Sequence, residues 1–322
     1  LGFFGAGVSM RFYTYRDRVF QFEGATSVQD EGSWAMPWRI DSNRIHLFPG
    51  FSERGAGDAA GIRLAFMTDS MVLRLLVEDG QPQQIFSLYV DGLLIQDARI
   101  QQDSGEVLFD PLPPGNKQVE IQLDHRFPAK IKAIGVDKGA KISINPTNRK
   151  SWIHYGGFLG RATAVSPSRK VWTTVVAKKL NLQLMNLCFD GPVRFEPMVA
   201  SLIRDVSVVD YITVGVEWGP GEEVLEPSML LANMIGWIQT IREKHPEIPI
   251  ALISPLVDHK RDLIGKTVSQ VVSACRAHGD TRIFGVDGTE IYYFEDYQQF
   301  GEDMQGVLAE WFLDTVFFKT FC

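Results

Sequence analysis

Glu217 closes a strongly apolar run, Tyr211 to Val216, and is followed by Trp218. A carboxyl group beside an aromatic ring at the end of such a run is shielded from water, which raises its pKa and suits it to general acid or base work. The plainer alternative is that Glu217 pairs with an arginine such as Arg161. Asp190 ends the preceding apolar run, so Asp190 and Glu217 are candidates for paired carboxylates with split pKa values facing each other across Phe158. Asp190-Gly191 also reads as an ordinary turn. His259, preceded by Asp258 and followed by Lys260-Arg261, is the histidine nearest the end of an apolar run; a solvated imidazole is the simpler reading there. Ser166 and Ser168 could serve as nucleophiles with His259, although serines flanking a proline usually cap or turn the chain. The remaining candidates to line a cleft are Tyr155, Gly156, Phe158, Cys188, Trp218 and Ser254.

These residues need a scaffold, and two textures of sequence supply it. From Arg11 to about Asn148 the chain alternates short β-rich runs, such as Met71 to Val77 and Gln118 to Leu123, with turn pairs such as Asp79-Gly80 and Asp91-Gly92. That pattern predicts an all-β sandwich, with a jelly roll as the expected variant. From Ser151 onward, apolar strands (152–155, 182–189, 211–217, 249–254, 282–286) alternate with helical segments (169–180, 194–205, 226–245, 262–278, 302–320). Strict βα alternation predicts a five-stranded parallel sheet in an α/β/α, flavodoxin-like domain. The boundary falls in the polar segment 144–150, giving domains at 11–148 and 149–322. Residues 1–10 read as a tail, with Met10 as a start. In an open parallel sheet, ligands bind beyond the carboxyl ends of the strands, where all the cleft candidates above are found.

Composition narrows the chemistry. Over 322 residues, 45% hydrophobic and 22% charged residues mark an ordinary folded chain, and a net charge of -7 offers no basic field for a nucleic-acid backbone. Three scattered cysteines supply neither a disulfide framework nor a metal knuckle, so no metal or cofactor is expected, and a cytoplasmic location is. No stretch is long enough to span a membrane. The Gly156-Gly157-Phe158-Leu159-Gly160 stretch lacks dinucleotide-binding spacing, and the next helix is expected about ten residues later. Neither a P-loop nor a G-x-S-x-G elbow is present.

Several words in the chain carry a family resemblance: Gly61 to Ser70 and Leu88 to Gly92 in the front part, then Trp152 to Gly156, Pro167 to Trp172, Val199 to Asp205, Ile241 to Pro246 and Ile253 to Pro255. Together they resemble the SGNH/GDSL hydrolase superfamily, and within it the two-domain acylhydrolases and acyltransferases with an N-terminal jelly roll. The resemblance implies a serine nucleophile after the first parallel strand, an oxyanion hole completed by a glycine and an asparagine, and a late aspartate and histidine. At the corresponding positions this chain has Phe158, Cys188, Glu217 (after Gly215), Gln298 and Gly301. The usual triad is therefore expected to be absent. The implied function is a non-hydrolytic relative that binds an acyl, polyketide-like or carbohydrate small molecule, or a protein. The alternatives are a repurposed acid/base enzyme in a biosynthetic pathway using Glu217 with Asp190, and an active esterase with a relocated triad. The oligomeric state is left open.

Overall fold

A computed structural model describes residues 9–101, 104–218, 225–256, 261–291 and 301–321. The front part contains β1 (Met10–Tyr13), β2 (Gln21–Glu23), β3 (Ser27–Asp30), β4 (Ala35–Trp38), β5 (Arg63–Thr68) and β6 (Leu73–Glu78). It continues with β7 (Ile85–Val90), β8 (Leu93–Arg99), β9 (Glu106–Phe109), β10 (Lys117–Gln122), β11 (Lys130–Asp137) and β12 (Ile142–Ser143). These form two antiparallel sheets. One runs β3-β4-β11-β6-β9, with β1 also on β11; the other runs β12-β5-β10-β7-β8, with β2 also on β5. Alternation drives the burial: along β6, Leu73, Leu75 and Val77 are buried while the residues between them are partly exposed. One apolar core draws on both sheets, including Leu64, Phe66, Leu75, Phe86, Phe109 and Ile121.

The second part is the alternating βα region. Its strands are β13 (Ser151–Gly156), β14 (Gln183–Cys188), β15 (Tyr211–Gly215), β16 (Ile250–Ile253) and β17 (Ile283–Val286). They pair in parallel in the order β14-β13-β15-β16-β17, the 2-1-3-4-5 arrangement expected of this fold. The helices are α1 (Phe158–Arg161), α2 (Trp172–Lys179), α3 (Pro197–Asp205), α4 (Pro227–Arg242), α5 (Arg261–Ala277) and α6 (Glu302–Trp311), which continues as a π-helical stretch, Phe312–Phe321. Proline at the first position of α3 and α4 removes an N–H that would have no helical partner, and the Glu226 carboxylate caps α4 at Ser228 N (3.0 Å). Leu230, Met234, Trp237, Ile238 and Ile241 form the buried stripe of α4 at helical spacing.

One expectation is corrected in this region. The first helix after β13 begins at once, as the single turn α1 after Gly157, rather than ten residues later. Four residues cannot display a helical period, so tertiary contacts hold the turn instead.

The two parts are tied by buried polar groups. Arg63, Arg149 and Lys178 surround Glu120, and Glu23 accepts from both arginines (2.7 Å and 3.0 Å). The segment between β4 and β5 contributes Phe48, Phe51 and Ala56 to the core around α3 and α4, where the Phe51 and Phe189 rings meet edge-on at 4.9 Å. Among the described residues no helix is long and apolar enough to cross a membrane, and no cluster of potential metal ligands occurs.

Candidate functional site

Strand alternation decides which groups meet. On β13, Trp152 and His154 face α2 and α6, and the His154 ring meets Trp172 at 4.9 Å and Phe312 at 6.0 Å. Ile153 and Tyr155 face the opposite side, against α3 and α4. Tyr155, expected in the cleft, is therefore a core residue. Its ring stacks on Trp237 at 5.7 Å, and its hydroxyl donates to Glu196. Trp218 is likewise buried in that core, away from the expected cleft.

Glu217 lies two residues beyond β15 and only 7% exposed. Its Oε2 accepts the N–H of Leu159 at 3.1 Å, and the Gly157 N–H is near enough to pull on the same carboxyl. These donors belong to the first turn of α1, whose leading residue is Phe158. Burial pushes the Glu217 carboxyl up to about 8, against the opposite pull of the two amides, so the group is mostly protonated at neutral pH. Glycines make the close approach feasible. A Cβ on Gly157 would stand 3.2 Å from Oε2, and one on Gly215 only 2.6 Å from Oε1. Glu217 shares a narrow slot with His154, Leu159, Trp172, Ser254 and Phe312. The slot is tight, about 20 Å3, room for about one water-sized group.

Asp190 does not join this group. Its carboxylate is half-exposed and takes the Arg161 guanidinium at 2.7 Å, while the other arm of Arg161 holds Asp58 at 2.5 Å. The expected carboxylate pair is thus replaced by an Asp190–Arg161–Asp58 bridge, and the alternative pairing of Glu217 with Arg161 does not occur. Arg54 adds to the bridge through the Asp190 carbonyl and the Glu196 carboxylate (2.9 Å).

Cys188, at the end of β14, is fully buried against Gly156 and Gly160. Burial, with the Glu217 carboxyl nearby, pushes its thiol well up, so it is no nucleophile. Phe158 is half-buried and packs toward α2 and α6. Ser254 ends β16 and lines the slot, and its Oγ accepts Gly288 N at 3.0 Å. His259 and Gln298 lie outside the described residues. Gly301 is the N-cap of α6.

Two histidines carry more structure than their sequence context suggested. His154 shares the slot with Glu217, and burial pushes it down to about 3. Its place two residues before Gly156 puts it on the same face of the strand, a signal that alternation offers. His125 lies 43 residues from Ser168 in sequence. Ser168 Oγ accepts the His125 backbone N–H and sits 2.9 Å from Nδ1, while Nε2 lies 2.9 Å from the Ala162 carbonyl. A carbonyl can only accept, so Nε2 carries the proton and Ser168 donates to Nδ1. Both residues are buried, and burial pushes His125 down to about 4. The pair serves as a joint between the two parts. Ser168→Ala is expected to lower stability by about 1–3 kcal/mol in urea melts, because two buried His125 groups lose their partner.

The parallel sheet in 2-1-3-4-5 order is flavodoxin-like, with the candidate site at the carboxyl ends of β13 and β15. Residues 149–308 match the GDSL-like Lipase/Acylhydrolase family model. The salicylyl-acyltransferase SsfX3 from a tetracycline biosynthetic pathway is similar over 93% of this chain and 95% of its own, at 28% identity and a TM-score of 0.84. A putative GDSL-like lipase from Bacteroides ovatus shares 17% identity, covering 92% of this chain and 91% of its own, with a TM-score of 0.70. A family two carbohydrate esterase from Cellvibrio japonicus shares 11%, covering 94% and 95%, with a TM-score of 0.67. The last two likenesses concern the fold alone. No curated protein sequence matches the chain.

Proposed function

We propose that this protein is a GDSL/SGNH-like relative that binds an acyl-bearing small molecule without hydrolysing it through a serine at the family position. The observation that carries this reading is the Glu217 carboxyl at the place of the oxyanion-hole asparagine, bonded to the amide of Leu159. An oxyanion hole works by leaving preorganised N–H donors free for the charge that develops on the substrate. Here the asparagine's place is held by the Glu217 carboxyl, the Cys188 N–H already donates to Asn186 Oδ1 (2.8 Å), and the leading residue of the turn is Phe158, which has no nucleophilic atom. The likeness to a salicylyl-acyltransferase supports an acyl ligand. Residues 11–148 are read as a β-sandwich domain of jelly-roll type that buttresses the α/β domain at 149–322.

A second reading has one observation in its favour. With its carboxyl at about 8, Glu217 holds a proton at neutral pH and could deliver it to a bound metabolite as a general acid.

The test is hydrolysis of p-nitrophenyl acetate, with release of the acyl group to water or to an added alcohol. The expected result is a rate equal to that of a heat-inactivated control. Turnover abolished by Ser166→Ala or Ser168→Ala in a folded variant would restore an esterase with a relocated serine. Turnover of any acyl substrate lost in Glu217→Gln but kept in both serine variants would favour the second reading.

A further inference from the structure

Among the residues lining the Glu217 slot, two buried polar atoms have no partner among the described residues, the Trp311 indole nitrogen near the wall and His154 Nε2, which shares the slot with the Glu217 carboxyl. The other ring nitrogen, Nδ1, lies 2.8 Å from Thr213 Oγ1, which also accepts the Trp152 indole N–H at 2.8 Å. Thr213 has one hydroxyl proton, and among the described residues Nδ1 is the acceptor within its reach. Sending that proton to Nδ1 satisfies the hydroxyl and places the imidazole's own proton on Nε2. The opposite tautomer would leave two buried groups unmatched, the hydroxyl proton and the Nε2 lone pair. Buried polar groups are rarely left so.

Glu217 supplies a second donor. Because Oε2 accepts from Leu159, the proton of the neutral carboxyl belongs on Oε1. His154 Nε2 and Glu217 Oε1 converge beside Gly156, at 3.1 Å and 3.5 Å from the point where a Cβ on that glycine would stand. The rest of the slot is mostly apolar, with Leu159, Ile253, Leu256, Leu308 and Phe312 among its walls beside Ser254 and Trp311, and among the described residues no lysine or arginine lines it. Two donors call for an acceptor oxygen, while an apolar wall without a cation penalises an anion.

We propose that His154 Nε2–H and the Glu217 carboxyl together bind the carbonyl oxygen of a neutral ester, amide or ketone, whose apolar body extends toward the mouth of the slot. This deepens the acyl-binding reading and rests on it. The slot, with room for about one water-sized group, admits a carbonyl oxygen and excludes a bulkier head.

The experiment compares acetophenone with ethylbenzene, which has nearly the same shape and no carbonyl, and with benzoate, which is charged. Binding is read by tryptophan fluorescence. The wild-type protein should bind acetophenone about tenfold more tightly than either of the others, the yield of one or two net hydrogen bonds. In His154→Leu, where the Glu217 donor remains, the affinity for acetophenone should fall several-fold toward that for ethylbenzene, which itself is unchanged. Nitrogen-15 NMR of the imidazole in the wild-type protein, which needs no variant to fold, should report the Nε2–H tautomer. An Nδ1–H tautomer, equal affinities in the wild type, an undiminished preference in His154→Leu, or no binding of acetophenone up to its solubility would each overturn the proposal. Ester turnover in the assay above would instead sink the non-hydrolytic reading while leaving the carbonyl preference intact, so the two failures are distinguishable.

Discussion

Replacing Arg39 by methionine should lower the unfolding free energy by about 3–5 kcal/mol, the range found when a buried charge-assisted network loses its central member. Arg39 follows β4 and is fully buried. Its guanidinium donates to the carbonyls of Asp58 (3.0 Å), Asn186 (3.2 Å), Gly55 (2.5 Å) and Cys188, and lies 4.5 Å over the ring of Phe189. Those acceptors come from two places distant in sequence, the segment before β5 and the end of β14. One planar fork thus fastens the front part to the strand beside the candidate site. Burial, aided by Arg161, pushes Arg39 down to about 10, so it remains charged at neutral pH. Methionine retains the apolar stem but leaves all four carbonyls without this donor in a site that excludes water. Lysine should rescue little, because one ammonium cannot reproduce the spread of three guanidinium nitrogens. Urea melts monitored by tryptophan fluorescence measure the effect. A shift below about 1 kcal/mol with an unchanged m-value would show that the tie contributes little.

That tie also marks where reading the sequence stops. The parallel sheet was legible because its strands are short continuous apolar runs separated by helices with proline starts and amphipathic stripes, all local signals. Glu217 was legible for a similar reason, as a carboxyl two residues beyond a glycine at the end of an apolar strand, and its raised pKa follows from that setting. Asp190 was misjudged because the residue that neutralises it, Arg161, arrives from α1, a turn too short to announce itself. Tyr155 was misplaced although alternation was available: Gly156 and His154 share one face of β13, so Tyr155 must take the other. The joint between His125 and Ser168 spans 43 positions and depends on how the front part docks on the α/β layer, which no local pattern encodes. Fold-level regularities are repeated along the chain and survive local noise. A site depends on single side chains meeting across long separations.

The second large effect concerns pH, and Glu217→Gln isolates it. A carboxyl whose pKa is about 8 in the folded protein and 4.5 in the unfolded chain binds more protons when folded, so its contribution to stability is complete below about pH 4.5 and is lost as pH rises toward 8. The full swing is about 5 kcal/mol, and about 1.5 kcal/mol of it falls between pH 6.5 and 8. His125 and His154 act with the opposite sign. Both are buried and neutral, with folded values of about 4 and about 3 against 6.5 unfolded, so their contribution is present above pH 6.5 and lost on acidification through those folded values. Between pH 4.5 and 6.5 the two histidines outweigh the one carboxyl and stability climbs; above 6.5 they are silent and Glu217 makes it fall. The wild-type protein should therefore be most stable near pH 6.5. Glutamine keeps an acceptor for Leu159 N–H and cannot ionise, so the variant should retain the acid limb and lose the decline above pH 6.5. Urea melts of both chains at pH 5, 6.5 and 8 decide the matter. Equal losses between pH 6.5 and 8 in wild type and variant would mean that Glu217 is already ionised in the folded protein, and a carboxylate there would have no proton to offer a bound carbonyl.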